Sequence, residues 1–252
     1  MTVKRALALA YGVGSYAVFL GVFLYAIGFL ANAWTPTTID GAQRLGTWAA
    51  LGIDLALLGL FAVQHSVMAR PSFKRWWTRL VPQPVKRSTY VLVSSLVLAL
   101  LFWQWQPVGG TVWELTAAWS RTAVIALYAA GWATVLIATC LIDHFDLFGL
   151  RQTLLYARGR PYTHLAFRTP GPYRIVRHPL YVGWLMVFWA APTMSVSRLV
   201  FALATTAYIL IAIRLEERNL LDVHPAYRTY REQVPMLVPR LRRPRRTDAA
   251  RS

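Results

Sequence analysis

The chain has one cysteine in 252 residues, and Cys140 lies inside an apolar run. No internal disulfide can form, and a four-cysteine metal site is excluded. Nothing in the sequence demands an oxidising compartment. Acids are scarce: 10 Asp and Glu stand against 27 Lys and Arg, for a formal net charge of +17. There are five histidines, with no HxxxH or HExxH spacing, which argues against a metal centre built on clustered imidazoles. No internal repeat of fixed period is present. The matching halves shown by many transporters are also missing.

A basic chain with few acids is the electrostatic footprint of many nucleic-acid binders. Here the cations are confined to segments between apolar blocks. Hydrophobic residues make up 56% of the chain, and the mean hydropathy is +0.41. That combination fits membrane spans joined by basic loops. A span needs roughly 20 mostly apolar residues. Four runs supply this, at about 6–33, 48–69, 88–106 and 121–142. The first begins like a signal peptide but is too long for one, so it reads as a retained span. A fifth block, 179–213, is broken by Ala191-Pro192-Thr193 and Ser195-Val196-Ser197. Its first arm, 179–191, would reach only about 20 Å as a helix. The expected fold is therefore all-α: a polytopic bundle of five or six transmembrane helices ending in a tilted helical hairpin. Three parts follow: four spans over 1–142, a cytoplasmic connector with hairpin and C-terminal segment over 143–239, and a basic disordered tail over 240–252.

Charge placement orients the bundle. With six crossings and the N-terminus inside, 24 of the 27 cations fall on the cytoplasmic side. Only Arg44, Arg121 and Arg198 fall outside. The positive-inside rule then puts both termini in the cytosol, in the inner membrane of a cell. Most of these charges are accounted for as topology determinants and headgroup contacts. Trp103, Trp105, Trp113 and Trp119 cluster near the outer ends of spans three and four, where an interfacial anchoring belt is expected.

Two regions could carry chemistry. The first starts at Asp143-His144-Phe145-Asp146 and runs through Arg151 and Gln152 to residue 177, with Tyr156, Tyr162, His164 and Phe167 on the way. On a continuing helix Asp143 and Asp146 would share a face. Carboxylate with imidazole is a competent general-base pair. A polar helix end that turns the chain out of the membrane is the other reading. The second region runs from Gly171-Pro172-Tyr173 through Arg177-His178-Pro179-Leu180-Tyr181-Val182-Gly183. Pro179 fits a first helical turn, whose free N–H groups and positive dipole end suit a carboxylate or a ribose hydroxyl. Gly183 allows close backbone approach. Glu216 and Glu217 end the second arm, either as a salt-bridged helix end beside Arg214 and Arg218 or as negative charge for a cationic ligand. Taken together, these features point to a zwitterionic, partly cationic cofactor. Asp54 in span two reads as an ion-path residue or a hydrogen-bonded helix neighbour. His65 reads as a bundle hydrogen bonder, or with His144, His164, His178 and His224 as a haem or metal ligand.

The second region carries a resemblance. Gly171-Pro172-Tyr173, Arg177-His178-Pro179-Leu180-Tyr181-Val182-Gly183, Glu216-Glu217-Arg218-Asn219-Leu220 and His224-Pro225-Ala226-Tyr227-Arg228-Thr229-Tyr230-Arg231-Glu232-Gln233-Val234-Pro235 together resemble the membrane methyltransferases related to isoprenylcysteine carboxyl methyltransferase. The spans and the 144–152 run are similar to one bacterial branch, the methanethiol S-methyltransferases. The resemblance implies S-adenosylmethionine as cofactor and methanethiol as the small thiol substrate, with dimethyl sulfide formed at the bilayer. It implies a cofactor pocket of Tyr173, Arg177, His178, Tyr181, Gly183, Glu216, Glu217, Tyr227, Tyr230 and Arg231, without a metal. It implies catalytic roles for Asp143, His144 and Asp146 as base candidates and Arg151 as anion stabiliser. The family often has Phe-Gly before the first tyrosine of the tail motif, where this chain has His224-Pro225-Ala226. Two alternatives stay open: another lipophilic acceptor, and a non-catalytic haem- or metal-linked protein of the NnrU type.

Overall fold

A computed structural model describes residues 2–163, 165, 168–223 and 226–239. The 240–252 tail, His164, Phe167 and His224 lie outside the described residues. In chain order the helices are α1 (Val3–Ala31), α2 (Thr47–Ala69), α3 (Pro71–Trp77), α4 (Lys86–Gln104), α5 (Ala118–Ile142), α6 (His144–Leu147), α7 (Leu150–Ala157), α8 (Pro179–Trp189), α9 (Val196–Val223) and α10 (Ala226–Gln233). Two short strands, β1 (Thr111–Glu114) and β2 (Thr193–Ser195), pair antiparallel. Five helices (α1, α2, α4, α5 and α9) are long and apolar enough to cross a membrane. Large hydrophobics such as Leu24, Leu60, Val63, Ile137 and Ile211 face outward along them. A soluble domain would not leave so much apolar surface exposed. The all-α reading holds, and the chain is a multi-pass membrane protein.

Local sequence explains where the helices stop. Asn32 takes the left-handed conformation that closes α1. Pro71 ends α2 and opens α3, because the residue before a proline is pushed out of helical geometry. The hairpin is present as α8 and α9, separated by the expected break. Its second arm is longer than its apolar run. At 28 residues, α9 extends about 42 Å, well beyond a ~30 Å hydrocarbon layer. The arm does not end at Glu216 and Glu217 as expected; the helix continues past them to Val223. With 11 residues, α8 spans only about half that layer.

The core gathers Phe29 from α1, Leu101 and Phe102 from α4 with Trp105 just beyond it, Val187 from α8, and Phe201, Ala202 and Ile213 from α9. Trp105 corrects the aromatic-belt expectation. It is 2% exposed and donates its indole N–H to the Ile39 carbonyl at 3.1 Å. Trp103 and Trp119, exposed by 68% and 77%, do face outward. The buried Asp54 accepts a hydrogen bond from the Gln106 backbone N–H at 2.9 Å, which is the helix-neighbour reading. Beneath the β1–β2 pair, buried Arg198 meets Asp40 and the Leu30 carbonyl. Helix α8 lies along α5 because two glycines face each other. A Cβ on Gly183 would stand 2.9 Å from the Gly131 carbonyl oxygen and the Val135 amide nitrogen.

One end of this bundle collects the start of α1, the end of α2, the starts of α4 and α8 and the ends of α5 and α9. Gly149, at φ +89°, brings α7 against Ser88, where a Cβ would lie 2.6 Å from the Ser88 amide nitrogen. Both candidate regions lie at this end.

Candidate active site

The first centre is built on Glu217, whose side chain is 8% exposed. Its Oε1 accepts from Arg177 Nε at 2.8 Å and pairs with His178 Nε2 at 3.0 Å. Its Oε2 meets Arg231 Nε at 3.3 Å. One buried carboxylate thus joins the residues before α8, the end of α9 and helix α10. Arg177 does a second task. Its Nη1 donates to the Arg231 and Val234 carbonyls at 2.8 and 2.6 Å. The backbone N–H groups of Arg177 and His178 donate to the Pro235 and Met236 carbonyls at 2.8 and 3.2 Å. Residues 231–236 are thereby strapped across the entrance to α8. A planar guanidinium with several donors suits this fork, and a lysine ammonium would not.

Glu216 differs from its neighbour. It is exposed, and its Oε2 accepts from Tyr181 Oη at 3.1 Å. A wall of tyrosines stands nearby. Tyr230 Oη donates to the Tyr173 carbonyl at 2.5 Å, and Tyr173 Oη to the Ala138 carbonyl at 3.4 Å, which ties this wall to the end of α5. Burial raises the Tyr173 and Tyr227 phenols, helped by Glu216 and Glu217 respectively, and pushes Tyr230 up to about 12. All three remain neutral hydroxyls at physiological pH. Of the residues the sequence nominated here, Tyr173, Arg177, His178, Tyr181, Glu216, Glu217, Tyr227, Tyr230 and Arg231 come together at one end of α8 and α9. Gly183 lies one to two turns further along α8, against α5.

The second centre begins at a break. The sequence reading carried α5 onward, so that Asp143 and Asp146 would share a face. Instead Asp143 adopts φ +105° and ends α5. Its Oδ1 then accepts the Asp146 backbone N–H at 3.0 Å and caps α6. Aspartate tolerates this conformation because its short side chain bonds locally. Asp146 is held from several sides. Its Oδ1 accepts from Arg151 Nη1 at 2.9 Å and Gln152 Nε2 at 3.3 Å, and its Oδ2 from Tyr162 Oη at 3.2 Å. That ion pair raises the Arg151 guanidinium further, and Arg151 also lies 5.4 Å over the Tyr162 ring.

His144 makes no carboxylate hydrogen bond among the described residues. Its Nδ1 lies 3.0 Å from Thr139 Oγ1, and its Nε2 lies 2.8 Å from Tyr16 Oη. The Thr139 hydroxyl gives its proton to the Leu136 carbonyl at 2.8 Å. It must therefore accept from His144, which assigns the proton to Nδ1 and leaves the lone pair on Nε2 facing Tyr16. Burial holds the imidazole below its usual value, partly offset by Asp143. Phe19 and Phe148 stack at 3.9 Å beside it, and Phe145 completes an aromatic nest. Tyr16 went unnoticed in the sequence. A lone hydroxyl in an apolar run gives no sign of its partner 128 residues away.

Comparison with known proteins now bears on these two centres. A methanethiol S-methyltransferase of Crocosphaera subtropica is 53% identical over 237 residues, covering 94% of this chain and 93% of that protein. Its counterpart in Mycobacterium tuberculosis is 50% identical and covers 94% of this chain and 97% of its own length. This chain belongs to the methanethiol S-methyltransferase family. It is a methyltransferase. The phospholipid methyltransferase family matches residues 123–224, a stretch that holds Asp143, Asp146, Arg177 and Glu217. Nurim of Mus musculus is 31% identical over 225 residues, with 84% of this chain and 85% of that protein covered. No solved structure matches.

Proposed function

We propose that the chain transfers a methyl group from S-adenosylmethionine to methanethiol, releasing dimethyl sulfide, at the cytosolic face of the cytoplasmic membrane. Half identity over more than nine-tenths of the chain to relatives named methanethiol S-methyltransferase supports methyl transfer to methanethiol, and the family resemblance implies S-adenosylmethionine as the donor. The Glu217 knot fits a donor site in its chemistry. Arg177 and Arg231 direct their charge to Glu217, with His178 Nε2 beside it, whereas exposed Glu216 offers a carboxylate to a cationic or hydroxyl-bearing ligand. Tyr173, Tyr181, Tyr227 and Tyr230 supply faces and neutral hydroxyls around it. S-adenosylmethionine, when bound, supplies an electrophilic methyl group on a sulfonium.

The chain's own residues would handle the thiol. A thiolate, not a thiol, is the effective nucleophile. We assign the proton to His144 Nε2, whose lone pair already faces Tyr16 Oη. The thiol proton would pass by way of Tyr16 Oη to the imidazole as the sulfur takes the methyl group, the donor's methyl–sulfonium bond would break with its electron pair going to the donor sulfur, and a neutral thioether would leave. The Phe19, Phe145 and Phe148 nest would receive a small apolar acceptor and exclude water. Asp146 and Arg151 position the segment around it, with Asp143 fixing the turn. Orientation with both termini in the cytosol, as the loop charges indicate, puts the donor site where a polar cofactor is dissolved.

The test uses full-length protein in detergent. Calorimetry should show S-adenosylmethionine binding, and headspace gas should contain dimethyl sulfide when methanethiol is added. His144→Ala should retain donor binding and lose turnover by about 10²-fold or more. Donor binding with turnover only on a farnesylated cysteine would replace methanethiol by a lipophilic acceptor. Absence of donor binding would end the reading altogether.

A further inference from the structure

A cavity of about 360 Å³ opens at the basic end of the bundle, between α3, the start of α4 and the segment from α7 to Tyr162. Its wall carries Lys74, Lys86, Arg87 and Arg160, and no Asp or Glu among the described residues. None of these four cations has a carboxylate at salt-bridge distance among the described residues. Lys86 Nζ donates to Thr78 Oγ1 at 3.3 Å, and Arg87 donates from Nε to the Leu147 carbonyl at 2.7 Å and lies 5.3 Å over the Tyr90 ring. Asp146, which touches Gln152 and Tyr162 of the wall, is already neutralised by Arg151. Burial lowers the Lys74 ammonium, with Arg87 and Lys86 lowering it further. Four like charges around one concavity repel one another, and an anion in their midst relieves the repulsion.

The rest of the wall is apolar or aromatic, with Met68, Trp77, Pro84, Tyr90 and Pro161 among its members. Helix α3 places the cavity at the membrane surface. It follows span α2 directly and packs Phe73, Trp76 and Trp77 ring to ring at 5.3–5.8 Å. Aromatic rings of this kind settle at the headgroup level. Positive-inside loops explain why cations are at this end. They do not explain why four of them converge on one hole without a carboxylate partner among the described residues.

We propose that this cavity binds a phosphate-bearing anion with an apolar body, the cations gripping the anion and the Met68–Trp77–Tyr90 wall holding the rest. An anionic phospholipid headgroup and a free phosphate share that chemistry, and the aromatic α3 directly after span α2 favours the lipid. Thermal unfolding of the full-length protein in detergent tests it, with phosphatidylglycerol, phosphatidylcholine or inorganic phosphate added. Phosphatidylglycerol should stabilise at lower concentration than phosphatidylcholine. Lys74→Gln with Lys86→Gln should raise its half-effect concentration by roughly tenfold, while Lys74→Arg with Lys86→Arg keeps it. Arg160→Gln, on the connecting loop, serves if the double variant does not fold. Equal stabilisation by inorganic phosphate would keep the anion site and move its source to the cytosol. Indifference between the two lipids without a phosphate response would overturn the proposal. So would a glutamine variant that loses S-adenosylmethionine affinity instead, since the cavity would then belong to the donor.

Discussion

Replacing Glu217 with Gln removes one negative charge and little volume. Arg177 and His178 side chains, 10% and 6% exposed, then share a neutral amide. Breaking a buried ion pair from one side costs about 3–5 kcal/mol. The amide oxygen can still accept from Arg177 Nε, and Arg231 is half exposed, so the loss should be smaller, about 2–3 kcal/mol. For a chain of this length that corresponds to a melting temperature lower by roughly 5–10 °C. The strap should loosen with it, because Arg177 holds the Arg231 and Val234 carbonyls. Tryptophan fluorescence in detergent would follow unfolding, and hydrogen exchange would follow the amides of residues 226–236. A double-mutant cycle should couple Glu217 to Arg177 by about 2 kcal/mol and to Arg231 by under about 1 kcal/mol. A Glu217→Gln protein that melts within a degree of the parent, with unchanged exchange in the strap, would refute the claim that this carboxylate organises the site.

Other expectations concern the second centre and the core. His144 is held below the usual histidine value, so the acid limb of kcat/KM should fall below pH 6.5. Tyr16→Phe removes a donor to the neutral imidazole and should move that limb upward. Because the folded value is depressed, the stability His144 contributes is complete above pH 6.5 and is lost as pH falls through the folded value, which acid unfolding of parent and His144→Gln would show. Gly183→Ala places a methyl 2.9 Å from backbone atoms of α5 and should cost about 1–3 kcal/mol in thermal unfolding. Trp105→Phe loses the hydrogen bond to Ile39 and should destabilise by about 1–3 kcal/mol, while exposed Trp103→Phe should stay within about 0.5 kcal/mol.

The long helices were readable because a span is a composition signal. Twenty apolar residues in a row need no knowledge of partners. The hairpin break was readable for the same reason, since proline and serines interrupt such a run. Trp105 was misplaced because interfacial preference describes a population, and here one indole found a carbonyl inside the core. The true end of α9 was hidden by its charges. Glu216, Glu217 and Arg218 looked like the end of a span, but a helix can continue past the bilayer once its side chains are solvated or paired. The β1–β2 pairing joins segments about 80 residues apart and left no local trace. At the Glu217 centre the residue types could be nominated from the resemblance, but their division of labour could not. Only geometry separates the buried, fully paired Glu217 from the exposed Glu216. At Asp143, a left-handed φ redirects the chain, and no pattern of residue types announces it.

The strap formed by residues 231–236 also has a consequence for biogenesis. The ribosome delivers these residues after every spanning helix, yet their carbonyls complete the hydrogen bonding of Arg177 and His178. A nascent chain with all its spans inserted would therefore still lack this strap. Closure of the strap becomes a late step, and shortening the polypeptide before Pro235 should leave an inserted bundle whose entrance to α8 is unstrapped.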